Sequence, residues 1–437
     1  MRALVLLVTL IVSHQLFAQG TYIPLGTASM HMLDRFEIKS GRLATPDEFS
    51  TSNRAYQRHR IAKYVDSFNV VGANLSKVDY FNLSYLQADN FEFSNSESTY
   101  SKKDFYGAFK RKAALFSVKD YDGFTLVANP VTLLQAGYET RNTQYASPII
   151  NHRGVELRGR IGDKIGFYTW VTDEIIKPTS WVRDYYLADK VVPGAGFLKA
   201  DPAHDPVTIN SSRGVGYIVY QPIKQIDVQF GHATNFLGNG YRSLYLSDFS
   251  RENLFLRINT RVWKINYTNI WGQMFDYVSP SQRNRPKRHY FATTYANINL
   301  TKKLNVGIFQ TVSFQRDSGY AKGGYDAQYF NPIIFYKPVE NGLNSPDKTI
   351  LGFDIKWNFA RHFQFYSQTV ISEFVMEELL ARNGWFGNKW ALQGGLKYID
   401  VAGVKNLDLQ LETNVARPYM YTSFDSKNAY VNFNQNM

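Results

Sequence analysis

The sequence predicts an all-β chain: a transmembrane antiparallel β-barrel with short helices ahead of it. Three observations carry this expectation. From near residue 115, segments of about ten residues alternate apolar and polar side chains, the period of a strand with one face in lipid and the other in water. Short and long connections alternate between those segments, as when turns need only reverse the chain at one end of a barrel and loops carry function at the other. Tyr, Phe and Trp (30, 31 and 7 residues) make up 16% of the chain, while the mean hydropathy of −0.32 is far too polar for a bundle of membrane helices.

Residues 1–19 read as a secretory signal peptide: Arg2, an apolar stretch from Ala3 to Val12, a polar break at Ser13-His14-Gln15, and cleavage after Ala18 or Gln19. No cysteine follows, so no lipoprotein anchor is expected. No later stretch approaches the roughly twenty apolar residues of a spanning helix. Membrane insertion would therefore need a closed barrel, the other structure that satisfies its own backbone in lipid, and the expected location is the outer membrane of a Gram-negative bacterium.

Residues 20–114 are expected to form a periplasmic or plug region. Ser50 to Asp66 places cap-forming residues ahead of Ile61, Tyr64 and Val65 at helical spacing, which predicts one or two helices there.

Residues 115–437 make the predicted barrel. In Lys405–Val415, Leu407, Leu409, Leu411 and Val415 oppose Asp408, Gln410, Glu412 and Asn414. Lys303–Phe314, Lys389–Tyr398, Arg153–Ile161 and His362–Ile371 alternate in the same way. Short connections are expected at 162–164, 221–224, around Asn259-Thr260-Arg261, and at 301–303, 360–362 and 401–404. Long ones are expected at 176–211, 233–253, 275–288, 315–348, 373–388 and after Ala416. The pattern accounts for about fourteen strands of a barrel expected to hold about sixteen to eighteen when complete. A new segment starts at the Asn432–Met437 end, so C-terminal truncation is the expectation.

Formal charge is +12, or +11 without Arg2. Such a balance suits anionic lipid or an acidic polymer, and export excludes nucleic acid as a partner. The one dense basic cluster, Arg283, Arg285, Lys287, Arg288 and His289, reads as a solvated loop. The eight histidines are scattered singly, with no HExxH, GxSxG or GxxxxGK and no zinc or iron ligand spacing. Neither a catalytic site, a metal site nor a cofactor is therefore expected.

Three loop segments carry chemistry: Phe236–Ser250, Tyr329–Glu340, and Glu373 with Asn383–Trp390. Aromatic rings can stack on sugar C–H faces, while neighbouring Asn, Arg and Lys groups bond hydroxyls or uronate carboxylates. Candidate polysaccharide-binding residues are Asn239, Tyr241, Arg242, Trp385, Phe386, Lys389 and Arg417. The competing reading is that these loops fold onto one another to plug and brace the barrel. Glu156, Arg158, Arg160 and Lys397 are candidate lumen-facing residues, which would set selectivity if the barrel were a transport channel.

The segments GNGYRSLYLSDFS, YFNPIIFYKPVE, NGWFGNKWALQGGLKY and NLDLQLETNVARPYMY resemble the Wzi family of capsule-assembly outer-membrane proteins. The likeness is to its Bacteroidetes branch, which includes the gliding-motility protein RemB. MLDRFEIKSG, FTLVANPV, HRGVELRGRIGDKIGFYT and VVPGAGF extend that resemblance over most of the mature chain. It implies an outer-membrane barrel with helices on the periplasmic side that attaches or organises capsular or other surface polysaccharide. Partnership with surface secretion or motility proteins is a further implication, and a porin-like channel remains the alternative.

Overall fold

The computed structural model describes residues 20–68, 75–94, 114–140, 147–189, 191–197, 208–276, 287–316, 323–333, 335–336, 338–339, 342, 346–381, 384–424, 428–433 and 435–437. The signal-peptide reading and Arg283, Arg285, Glu340 and Asn383 lie outside them.

Among the described residues three helices come first: α1 (Ala28–Ser40), α2 (Arg58–Phe68) and α3 (Lys77–Asp89). Gly41, at φ 69°, ends α1 in the left-handed conformation that glycine adopts without a steric penalty. Ser76 and Asp79 form a reciprocal capping box at the start of α3. Leu33 and Phe36 of α1, Ile61, Tyr64 and Val65 of α2, and Leu83 and Leu86 of α3 pack into one core. The helix expected over residues 50–66 starts only at Arg58. The preceding Ser/Thr/Asn run instead makes turns whose side chains bond the wall of the sheet, as described below.

Among the described residues the wall is a single antiparallel sheet of 14 strands in sequence order. It comprises β1 (Phe116–Tyr121), β2 (Phe124–Ala136), β3 (Ile149–Ile161), β4 (Ile165–Lys177), β7 (Ile209–Ile223), β8 (Ile226–Ala233), β9 (Asn253–Val262) and β10 (Ile265–Asp276). It continues through β11 (Lys287–Asn299), β12 (Leu304–Phe314), β13 (Lys348–Phe359), β14 (Phe363–Glu373), β15 (Lys389–Tyr398) and β16 (Leu409–Ala416). Helix α4 (Ser180–Asp189) and the ribbon β5 (Val191–Val192) with β6 (Gly196–Phe197) sit in the β4–β7 connection, and α5 (Met376–Leu380) lies between β14 and β15. A last ribbon pairs β17 (Val431–Asn432) with β18 (Gln435–Asn436).

Strand β13 shows how the wall is polarised. Leu351, Phe353, Ile355 and Trp357 point outward and stay exposed, whereas Asp354, Lys356 and Asn358 point inward and are buried. That is the reverse of a water-soluble sheet, where so large an exposed apolar surface would be a liability. It suits a wall with lipid outside. Outward rings of Trp357, Phe359, Phe363 and Tyr398 stack in series at 4.7, 5.3 and 4.3 Å between centroids beside the short turns, an aromatic belt of the interfacial kind. The sheet curls around the helices, because inward side chains on strands as far apart as β3 and β15 bond the same N-terminal region.

Three expectations about the wall need correction. Asn259-Thr260-Arg261 is not a turn but the end of β9; the reversal comes at Trp263-Lys264, where Trp263 takes φ 55°. Residues 405–408 are not strand, since Asn406 and Asp408 are tied to the helices by Asn82 and Arg35. Of the basic cluster, Lys287, Arg288 and His289 open β11 rather than a solvated loop, and His289 is buried with Nε2 2.9 Å from the Val431 carbonyl.

Candidate functional site: a filled lumen and an exposed loop rim

The inward face of the wall mixes polar side chains with an apolar cluster through Phe255, Ile270, Met274, Phe291 and Phe309, and the helices are arranged to meet its polar part. Arg158 donates to Glu92 at 2.9 Å and to the Asp89 carbonyl at 2.9 Å, with Glu156 at 3.6 Å. Lys356 lies 3.1 Å from Glu37 of α1, and Lys397 lies 2.6 Å from Asp34. Asn53 bridges Asn259 and Thr268 at 3.2 and 2.7 Å. Of the sequence-derived lumen candidates, the structure therefore sets Arg158 and Lys397 against the N-terminal region. Arg160 instead bonds Asp120 of β1 at 2.8 Å.

The β8–β9 connection, residues 234–252, also folds inward. Gly238, at φ 144°, donates its N–H to the Ser52 carbonyl at 2.7 Å. Asn239 is buried: its Oδ1 accepts from Ser52 and Thr51 at 2.9 and 3.2 Å, and its carbonyl accepts from Lys397 at 3.0 Å. Tyr245 stacks on Phe309 at 4.4 Å between nearly parallel rings. The adjacent Tyr241 and Arg242 donate backbone N–H groups to Glu412 at 2.7 and 3.1 Å and leave their side chains exposed.

At the long-loop end, Trp385 and Phe386 lie 6.1 Å apart, and Arg417 donates to the Gly384 carbonyl at 2.9 Å. The structure thus joins these three in one place, while Tyr241 and Arg242 sit in another, against β16. Lys389 is buried and pairs with Glu373 at 2.9 Å. Tyr329 and Tyr336, by contrast, pack against the outward face of the wall: they cluster with Trp271, Val312 and Phe314, Trp271 Nε1 donates to the Tyr329 carbonyl at 2.7 Å, and the Tyr329 hydroxyl donates to Asp347 at 2.7 Å.

Beside the short turns, Arg35 and Lys39 of α1 bond Asp79, Asp400 and Asp408 in one buried cluster. Burial pushes these carboxyl groups up, yet the hydrogen bonds from Arg35, Lys39, His31, Ser76 and Asn406 outweigh it and hold all three below the usual carboxylate range. A carboxyl group whose folded pKa is depressed contributes stability above its unfolded value of about 3.9 and loses it as pH falls through the folded value. Docking of the helices should therefore not respond to these groups between about pH 5 and 8 and should weaken below about pH 4. Proteolysis of the N-terminal region as a function of pH checks this. Asp400→Asn should flatten the acid limb, and an unchanged limb would remove the cluster from the account.

Sequence reasoning did not single out the arginines inside the lumen, Arg213 of β7 and Arg257 of β9, or Arg54 ahead of α2. A signal existed for the first two, since both hold inward positions in their strands' alternation. Among the described residues no group of three or more His, Cys, Asp or Glu could hold a metal ion.

No protein-family model matches the sequence, and no curated protein matches it. Among solved structures the chain is similar to Wzi, an outer-membrane protein involved in group 1 capsule assembly in Escherichia coli and a carbohydrate-binding β-barrel. That likeness has a TM-score of 0.52 at 12% identity and covers 95% of this chain and 77% of that one. It is more distantly similar to Pseudomonas aeruginosa OccK5 (TM-score 0.33, 12% identity, 70% and 90% of the two chains). An anion-selective porin from Comamonas acidovorans stands at TM-score 0.31 and 10% identity, over 71% and 94%. Wall, outward apolar face and the first of these likenesses agree: the chain has the Wzi-like fold of an outer-membrane β-barrel.

Proposed function

We propose that this chain is a non-enzymatic outer-membrane barrel, allied to the Bacteroidetes branch of the Wzi family, that binds or organises capsular or other surface polysaccharide at the cell surface. The observation that carries the reading is the filled lumen. Arg158, Lys356 and Lys397, which would line an aqueous pore, are spent on Glu92, Glu37 and Asp34. A barrel so occupied favours binding over conduction. In this reading residues 20–114 sit on the periplasmic side and the long loops face outward. Accessible rings at Tyr241, Trp385 and Phe386 supply stacking surface beside Arg242 and Arg417, while buried Asn239 and Lys389 position the loops. The carbohydrate-binding description of Wzi supports the same reading.

The test is polymer retention on intact cells. Joint replacement of Tyr241, Arg242, Trp385 and Phe386 by alanine should release polysaccharide into the medium. Each exposed change should shift stability by no more than about 0.5 kcal/mol, so barrel amount and heat-modifiable gel migration should stay normal. The attachment should also weaken with added salt. Unchanged retention, together with a large conductance of the wild-type protein in planar bilayers, would overturn the reading in favour of a channel.

A further inference from the structure

The lumen is not filled everywhere. Between the N-terminal segment, β4, β7, β8 and the inward loop lies a cavity of about 350 Å³, within the range of small-molecule sites. Its walls combine two kinds of group. Tyr168 and Tyr217 stack at 5.1 Å, with Trp170 beside them, and Phe236 carries the Arg54 guanidinium 3.9 Å above its ring. The remaining charge comes from Arg213 and Arg257.

Those cations are poorly compensated. Arg213 pairs with Glu252, Nε to Oε1 2.7 Å, and its guanidinium lies 5.7 Å from the Trp170 ring. Arg257 is only 4% exposed, and it donates to the side-chain oxygens of Asn259 and Asn235 at 3.1 and 3.0 Å and to the Asn53 carbonyl at 3.1 Å. Arg54 bonds the Gly240 carbonyl. Among the described residues neither Arg54 nor Arg257 has a carboxylate at ion-pair distance. The cavity wall therefore carries three guanidinium groups and the single carboxylate of Glu252, with Asp227 acting on Arg257, and Asp34 and Asp248 on Arg54, only from beyond ion-pair distance. Burying a cation without a counter-charge is costly, so an anion is the complement such a wall selects.

The uncharged groups narrow the class further. Asn235 Nδ2 is buried without a partner, and Gln229, also buried in the wall, makes no side-chain hydrogen bond among the described residues. Amide groups suit hydroxyls, guanidinium forks suit a carboxylate, and aromatic faces suit the C–H face of a pyranose ring. A simple inorganic anion would use the arginines and waste the rings.

We propose that this cavity binds a hexuronate, a sugar ring bearing one carboxylate, taken either as the free sugar or as the end residue of an acidic oligosaccharide. It is a site inside the barrel, walled in part by the β8–β9 connection and apart from the exposed rings of Tyr241, Trp385 and Phe386.

The test is titration calorimetry on the purified, detergent-solubilised chain with D-galacturonate, trigalacturonate, D-galactose and acetate as probes. Galacturonate should bind at least tenfold more tightly than galactose or acetate. Binding of trigalacturonate as well would show that the site takes a chain end, and binding of the monomer alone that it takes the free sugar; either supports the proposal. Arg54→Gln should weaken galacturonate at least tenfold. Val215→Trp, which fills the cavity and removes no hydrogen bond, should abolish binding while heat-modifiable migration is retained. Absence of galacturonate binding, equal affinity for acetate, or wild-type affinity in folded Val215→Trp would each overturn it. Because this readout is a soluble sugar and the outer-loop reading is tested by polymer on cells, failure of one is distinguishable from failure of the other.

Discussion

Replacing Arg35 by alanine should detach the helices from the wall. Arg35 is 1% exposed and bonds Asp79, Asp400 and Asp408. Its removal leaves three carboxylates in a buried site with only Lys39 and the half-exposed His31 as cationic partners. Breaking a buried ion pair on one side costs about 3–5 kcal/mol, because the remaining charge stays desolvated. The wall does not depend on this cluster for its ladder hydrogen bonds, so the barrel should persist while the helices loosen. Early protease cleavage within residues 20–94 and a new conductance in planar bilayers are the expected measurements. An Arg35→Ala protein with wild-type protease resistance would mean that the apolar contacts of the helices suffice.

The second large effect is expected at Gly352 of β13, where the inward loop passes over the wall. A Cβ at this position would press into the Tyr245 ring, with Cζ 2.9 Å away. Gly352→Val should therefore push Tyr245 off Phe309 and lift residues 236–250, an overpacking cost of about 1–3 kcal/mol. Loss of polymer retention through the displaced Tyr241 and Arg242 should accompany faster proteolysis within 236–250. Gly394→Ala is the control, since a Cβ there meets nothing within 4 Å. Equal behaviour of the two variants would show that the loop is not held by this contact.

Strand alternation made the wall legible. Lys389–Tyr398 is a strand with the bounds read from the sequence, and β12 and β14 differ by a residue or two at their ends. Period-two patterning reports a single physical fact, which side meets lipid, and each strand states it independently. Turns were harder where they defy residue preference. Trp263, Ala360 and Arg361 adopt positive φ, a conformation usually given to Gly or Asn, so the β9–β10 reversal was placed a few residues early. Helices α1 and α3 were not located, because they bury charged residues such as Arg35, Glu37 and Asp79 that hide a helical apolar stripe. Arg35 and Glu37 are met by Asp400, Asp408 and Lys356, more than three hundred residues away, and Asp79 by Arg35 and Lys39 of another helix. The same reason kept the lumen cavity out of reach: Arg54, Trp170, Arg213 and Arg257 share a site only after the sheet has curled.

The ties between helices and wall also fix an order of events. Glu37 meets Lys356, Asp34 meets Lys397 and Arg35 meets Asp408 across sequence separations of 319, 363 and 373 residues. The helices leave the ribosome first, yet the groups that will neutralise them arrive almost last. Contacts of such high sequence separation form slowly, since the intervening chain must be ordered before they reward it. Until β13 to β15 and the segment after them are in place, Glu37, Asp34 and Arg35 lack Lys356, Lys397 and Asp408, and docking of the helices is the closing step of assembly. The barrel would thus be sealed from within by the part of the chain made earliest, and a wall that stalls before β15 should be left open and unsealed.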